Sequence, residues 1–286
     1  MNANPAMPPG ACDCHVHIYE DGYPLVASAT FKPPHAPVPA YRDVQRALGL
    51  ERAVLVQPTG YGFDNRCLLD ALGQLGDAAR GVACVPADVS DAELQRLHST
   101  GVRSVRYMML AGSGGLLSWD SLATMAGRLA PLGWNINLQL DGRELPLRRA
   151  LIDSLPGKVV IDHTGKFLEP VTVDDPAFRA LQSLLDREGR WVKLSAPYET
   201  SKLGPPHYGD VATLARALVR SHPERCLWAS NWPHPNRTPL PSDAQMLALL
   251  SEWAPDARER EAILVHNPAE VYGFARNAPG AGRPGR

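Results

Sequence analysis

Eight short apolar runs, each followed by a longer amphipathic stretch, set the tightest limit on what this chain can fold into. The runs are Ala11–Tyr19, Ala53–Pro58, Gly81–Val85, Val102–Met108, Trp134–Leu140, Lys158–His163, Arg190–Ser195 and Arg225–Ser230. They are rich in Val, Ile, Leu and Trp, and several are almost continuously apolar, as strands covered on both faces are. Between them the period changes. Asp64–Leu75 sets Leu68, Leu69, Leu72 and Leu75 on one helical face. Ser90-Asp91-Ala92-Glu93 reads as a capping box opening a helix that runs to Ser99. Pro176–Glu188 aligns Phe178, Leu181, Leu184 and Leu185, and Asp210–Ser221 aligns Val211, Leu214, Ala215 and Leu218. Two more helices, Asp243–Trp253 and Asp256–Val265, follow the last run. Strand then helix, eight times over, predicts the α/β class and a (β/α)8 TIM-like barrel. A doubly wound open sheet is the rival. It usually carries a Gly-rich first turn, where this chain has Ile18-Tyr19-Glu20-Asp21.

The 286 residues suit one large domain, expected over 1–274. Asp21–Pro39, with Pro24, Pro33, Pro34, Pro37 and Pro39, reads as an extended loop after the first strand. The Gly/Pro/Arg-rich stretch Ala275–Arg286 is expected to be disordered. Lys plus Arg total 29 against 30 Asp plus Glu, so no global field draws the chain to nucleic acid or an anionic membrane. No apolar run approaches the ~20 residues of a membrane helix. Met1–Cys12 lacks the basic and apolar regions of a signal peptide. Cys12, Cys14, Cys67, Cys84 and Cys226 are scattered, form no CxxC, and read as reduced thiols of a cytoplasmic protein. The sequence leaves the oligomeric state open, a homo-oligomer included.

In a barrel of this kind the reactive groups sit at the C-terminal ends of the strands. The first strand offers His15 and His17, which alternation places on one face, toward the mouth. The sixth ends at His163, followed by a Gly turn and Lys166. The eighth ends Trp228-Ala229-Ser230-Asn231-Trp232-Pro233-His234, a polar side chain bracketed by tryptophans. The fourth holds Arg106 inside an apolar run, where a guanidinium needs an anion: a bound carboxylate or an acid of the protein itself.

With these residues in view, the chain resembles the amidohydrolase superfamily, and within it the 2-pyrone-4,6-dicarboxylate lactonase group. The likeness is carried by His15-x-His17, Leu55-Val56-Gln57-Pro58, Asp64-Asn65, Gly101-Val102-Arg103-Ser104-Val105-Arg106, Val160-Ile161-Asp162-His163 and Asn231-Trp232-Pro233-His234-Pro235, over about Pro9 to Phe274. The group usually ends its eighth strand with an Asp that takes a proton from the attacking water; here Asn231 stands, and an amide is no base near neutral pH. Galactarolactone isomerases of the same group resemble the chain at Asn231-Trp232-Pro233-His234, at His163–Phe167 and at Tyr198–Lys202, although they replace the first His of the pair, which this chain keeps as His15.

The resemblance implies a metal-independent enzyme that needs no cofactor and takes a carboxylated lactone. His15, His17 and His163 would polarise the ester carbonyl, Asn231 would orient the substrate, and Arg106 would hold its carboxylate. Were water the nucleophile, His17 or His163 would have to serve as the base. Tyr198, Lys166, Lys202, Asp64, Asn65 and His234 are further substrate contacts to test. Three histidines could also hold a zinc ion, which leaves a metal-dependent hydrolase or decarboxylase as the alternative, and a barrel that binds without catalysis as a third reading.

Overall fold

The computed structural model describes residues 7–275. Eight strands, β1 (Cys12–Val16), β2 (Arg52–Val56), β3 (Ala79–Ala83), β4 (Val102–Met108), β5 (Asn135–Gln139), β6 (Lys158–Ile161), β7 (Arg190–Leu194) and β8 (Cys226–Trp228), form one parallel sheet in sequence order. Each overlaps an apolar run of the sequence, β3 starting two residues before its run at Ala79. The ring closes just past the strand ends: Val16 bridges Trp232 in parallel, Asn231 N–H donates to the His15 carbonyl at 3.0 Å, and His17 N–H donates to the Trp232 carbonyl at 2.8 Å. The result is a nearly closed (β/α)8 barrel.

Helices α1 (Val38–Leu48), α2 (Arg66–Leu75), α3 (Asp91–Ser99), α4 (Trp119–Leu129), α5 (Leu145–Ser154), α6 (Pro176–Leu185), α7 (Gly209–Ser221) and α8 (Asp243–Trp253) wrap the sheet. Their starts follow local chemistry. The Ser90 hydroxyl accepts from Glu93 N–H, Asp175 from Ala177 N–H, and Ser242 from Gln245 N–H. The Pro-rich stretch after β1 is irregular only as far as Pro37. Helix α1 begins at Val38 with Pro39 in its first turn, a place that needs no proline N–H. The last helix expected over Asp256–Val265 divides instead into α9 (Ala257–Glu261), a π-helical turn over Ala262–His266, and α10 (Asn267–Tyr272). Pro268 gives the reason. Its ring crowds the carbonyl four residues back, and a widened turn relieves the clash. The stretch 275–286 lies, Ala275 aside, outside the described residues.

The barrel interior has two layers. Its floor is apolar: Cys12, Cys14, Val54, Val56, Val82, Val160, Trp191 and Leu227 pack together, with Val271 and Tyr272 of α10 in the same cluster. Strand alternation then carries β4 to Arg106, β5 to Asn137, β6 to Asp162 and β7 to Lys193 on the inward face. Strand β1 cannot do this by alternation alone, because Cys12 and Cys14 already face inward. Its pairing with β2 shifts register between Asp13 and Val16, so one residue is added on β1 and the following side chains change sides. That shift turns His15 and His17 into the barrel.

Asp13, on the outward side, fastens the seam. It accepts from Ser230 N–H at 2.9 Å, from Ser230 Oγ at 2.5 Å and from His15 N–H at 3.2 Å, in full burial. Asp13→Ala strands these buried donors and should cost about 3 kcal/mol of stability, read from urea unfolding at about pH 8; a loss within experimental error would show that the seam does not depend on this carboxylate.

Candidate active site at the barrel mouth

The three histidines expected from the sequence converge. His15 and His17 lie with Nε2 atoms 3.2 Å apart, and the His15 and His163 rings are 4.8 Å apart between centroids. Their tautomers follow from partners that can act in one sense only. The Val56 carbonyl, 2.8 Å from His17 Nδ1, can only accept, so His17 carries its proton on Nδ1 and presents a lone pair at Nε2. The Lys193 ammonium, 3.1 Å from His15 Nδ1, can only donate, so His15 carries its proton on Nε2 and donates it to His17. His163 Nδ1 meets Ser195 Oγ at 2.8 Å.

Beneath the imidazoles lies a buried network. Lys193 Nζ is 3.0 Å from Asp162 Oδ1 and donates to Asn137 Oδ1, while Asn137 Nδ2 donates to Asp162 Oδ2 at 2.7 Å. Neither Lys193 nor Asp162 is exposed to solvent. Burial alone would raise the Asp162 carboxyl, but the Lys193 ammonium holds it well below the usual range. Lys193, Asp162, Asn137 and Ser195 were not singled out from sequence. The signal for Lys193 was the same as for Arg106: a charge in the middle of a strand otherwise read as buried.

Arg106 lies in the wall of a small recess, beside Gln57, Cys84 and Met108. It donates to the Gln57 carbonyl at 2.8 Å and to Gln139 Oε1 at 3.0 Å. Its Nε has no hydrogen-bond partner, and among the described residues no carboxylate forms an ion pair with it, although the residue is only 6% exposed. Of the two anions the sequence allowed, an acid of the protein acts on Arg106 only from a distance, through the buried Asp162 carboxylate.

A second cluster lines the β7 and β8 side of the mouth. Asn231 Nδ2 donates to Tyr198 Oη at 2.9 Å and to Glu199 Oε1 at 3.2 Å. Tyr198 donates to His234 Nδ1 at 2.8 Å, and His234 Nε2 donates to Asp243 Oδ1 at 2.9 Å. Both ring nitrogens of His234 are thus engaged by protein partners, Tyr198 and Asp243. Lys166 pairs with Glu199; burial, with Arg106 adding to it, brings its ammonium down to about 8. His163, Thr164, Lys166, Ala196, Asn231 and His234 all adopt positive φ, between 47° and 62°. Side-chain residues rarely take this conformation, and its concentration at the strand ends marks where the fold holds the backbone against its preference.

Asp64 and Asn65 are occupied elsewhere. Asp64 pairs with Arg66 at 2.6 Å, and Asn65 bridges the loop after β2 to Cys84, accepting from its N–H and donating to its carbonyl. Lys202 is exposed, 3.6 Å from Glu169.

His15, Asp162 and His163 place possible metal-ligand atoms within 4.8 Å of one another. The surroundings do not fit a divalent cation. The Lys193 ammonium already stands against both Asp162 and His15, and a second, doubly charged centre there would face strong like-charge repulsion in a site away from water. On the β8 side Asn231 contributes an amide in place of a carboxylate.

All three imidazoles are held neutral. Burial lowers His15, His17 and His163, with Lys193 adding to it at His15 and Arg106 at His17, which falls to about 3. In the unfolded chain they titrate near ~6.5. Below that pH the unfolded state binds more protons, so stability is lost as pH falls through this interval. Asp13, raised by burial to about 6, works in the opposite sense, but it is one group against three. Urea midpoints should therefore drop between about pH 7 and 4.5, and His17→Gln should flatten the drop; parallel curves for the two proteins would contradict the assignment.

The chain resembles known proteins over nearly its whole length. The chain is 35% identical to a 2-pyrone-4,6-dicarboxylate hydrolase of Comamonas testosteroni, with 94% of each chain covered. It is 32% identical to a D-galactarolactone isomerase of Agrobacterium fabrum, covering 94% of this chain and 93% of that one. A crystal structure of an Agrobacterium tumefaciens protein superposes with a TM-score of 0.90 at 31% identity, over 96% of this chain and 99% of the other. The amidohydrolase family model matches residues 12–274, and the chain belongs to that family.

Proposed function

We propose that the protein is a metal-independent enzyme of acyl transfer at the ester of a carboxylated lactone, by ring isomerisation or by hydrolysis. The observation that carries this is Arg106: a buried guanidinium without an ion-pair partner among the described residues, beside neutral imidazoles. Such a cation calls for an anion from outside, and a substrate carboxylate satisfies it with charge-assisted hydrogen bonds. The relatives support the same class, since one is named for a pyrone dicarboxylate and the other for a sugar-acid lactone.

With the carboxylate on Arg106, the ester lies toward the histidines. Entry of the ester breaks the 3.2 Å bond between His15 and His17, so that the His15 Nε2–H and an N–H of His163 donate to the carbonyl oxygen as it gains charge in the tetrahedral intermediate. His17, with its lone pair on Nε2, takes the proton of the attacking hydroxyl. The new C–O bond forms, the ring C–O bond breaks, and the proton passes to the departing ring oxygen. A substrate hydroxyl as nucleophile gives an isomeric lactone; water gives the open hydroxy acid. Asn231 and Tyr198 orient the hydroxyl-bearing side of the substrate, with His234 holding Tyr198 and with Lys166 beside them. Asp64 and Asn65 shape the loop at the rim.

Proton NMR of the protein with sugar-acid lactones and pyrone dicarboxylate tests this directly: a new ring without acid means isomerisation, acid without a new ring means hydrolysis, and no change across the panel defeats the proposal. Turnover should survive prolonged chelation, and loss of activity restored by zinc would defeat metal independence. Arg106→Met should lower kcat/KM for a carboxylated lactone by ~10²-fold, mostly through KM, while barely affecting an uncharged analogue; equal losses on both would remove Arg106 from carboxylate recognition.

A further inference from the structure

The geometry points to Lys193 as a positioning residue: its ammonium, lodged in the barrel interior, fixes His15 as an Nε2–H donor toward the acceptor nitrogen that the Val56 carbonyl leaves on His17. This rests on the metal-independent reading above and names the group that does the work of an internal cation.

The argument is one of donors and acceptors. An ammonium has three N–H groups and no lone pair. Three acceptor atoms surround Lys193 Nζ: Asn137 Oδ1, Asp162 Oδ1 at 3.0 Å and His15 Nδ1 at 3.1 Å. The carboxylate beside it is closed from the other side by Asn137 Nδ2 at 2.7 Å, so the group cannot rotate toward His15 without breaking that bond. His15 Nδ1 is 3.4 Å from Asp162 Oδ1, farther than from the ammonium. Were Lys193 neutral or absent, the carboxylate would be the nearest partner of that nitrogen, and the imidazole would move its proton to Nδ1 to meet it. Two lone pairs, on His15 Nε2 and His17 Nε2, would then oppose each other at 3.2 Å, and the mouth would lose its donor. The chain from Lys193 through His15 and His17 to the Val56 carbonyl thus has a donor fixed at its inner end and an acceptor fixed at its outer end.

Nitrogen-15 NMR of protein labelled at histidine reads this without any lactone, so a failure here is distinct from a failure of the proposed activity. With His15 assigned by difference from His15→Gln, the wild-type protein at about pH 8 should show His15 protonated at Nε2 and His17 at Nδ1. Lys193→Met, which keeps the volume and removes the charge, should move the His15 proton to Nδ1. If the lactone activity is present, its kcat should fall ~10²-fold with KM changed little. A wild-type His15 already protonated at Nδ1 overturns the inference even if no variant folds, and so does a Lys193→Met protein whose His15 stays protonated at Nε2.

Discussion

Removing an ammonium and a carboxylate from water costs several kcal/mol for each ion, and the Asp162–Lys193 pair sits in the barrel with no exposure at all. It persists because Lys193 donates to Asn137 and His15, and Asp162 Oδ2 accepts from Asn137, while Asp162 Oδ1 faces the ammonium at 3.0 Å as an ion pair. Lys193 comes from β7, Asp162 follows β6, Asn137 is on β5 and His15 on β1. Such a network tolerates little displacement, since loss of one member leaves a buried charge unpaired. It ties four strands to a common geometry one layer below the mouth. The apolar floor gives that layer a dry base, and the register shift in β1 delivers the imidazoles onto its upper surface.

The electrostatics above this layer follow from it. Lys193 and Arg106 both lie among the histidines and discourage their protonation, so burial and nearby positive charge act together to keep the rings neutral. A neutral imidazole has one donor and one acceptor, and a set of them can polarise a carbonyl and take a proton at once. Protonated rings would offer donors alone. Under the proposed function the two roles are joined at Arg106: the cation that would attract the substrate carboxylate also helps keep His17 neutral.

Much of this was legible in the sequence, and the parts that were not have physical reasons. Apolar runs longer than chance and helical spacing between them suffice to write a (β/α)8 barrel, because strands covered on both faces have a distinctive composition. His15 and His17 were read onto one face by alternation, which holds for the pair. That Cys12 and Cys14 precede them on the same inward side was not legible, since a bulge leaves no mark in composition when both residues flanking it are small or polar. Lys193 carries the signal of a charge inside a buried strand, but its role is not legible from sequence, since only the strands folded around it reveal three acceptors at its tip. Asp64 and Asn65 look like site residues from their place after β2, but a partner two residues away and a neighbouring backbone take up their capacity. Local competition of that kind is invisible until distances are known.

Asn231 is the departure from the lactonase pattern with the widest consequence, and its neighbours account for it. Its amide nitrogen donates to Tyr198 Oη and to the Glu199 carboxylate together, with Glu199 also held by Lys166. An aspartate in the same place could donate to neither. Its carboxylate would stand about as far from Glu199 as the amide does now, and two carboxylates that close cannot both stay ionised without raising one of their pKa values. Tyr198 would be left to donate to either the new carboxylate or His234, not both, and the ordered path from Asn231 to Asp243 would lose its direction. In this barrel the amide is therefore part of a consistent set with Glu199, and the capacity to take a proton lies across the mouth, at the lone pair that Lys193 and the Val56 carbonyl jointly leave on His17.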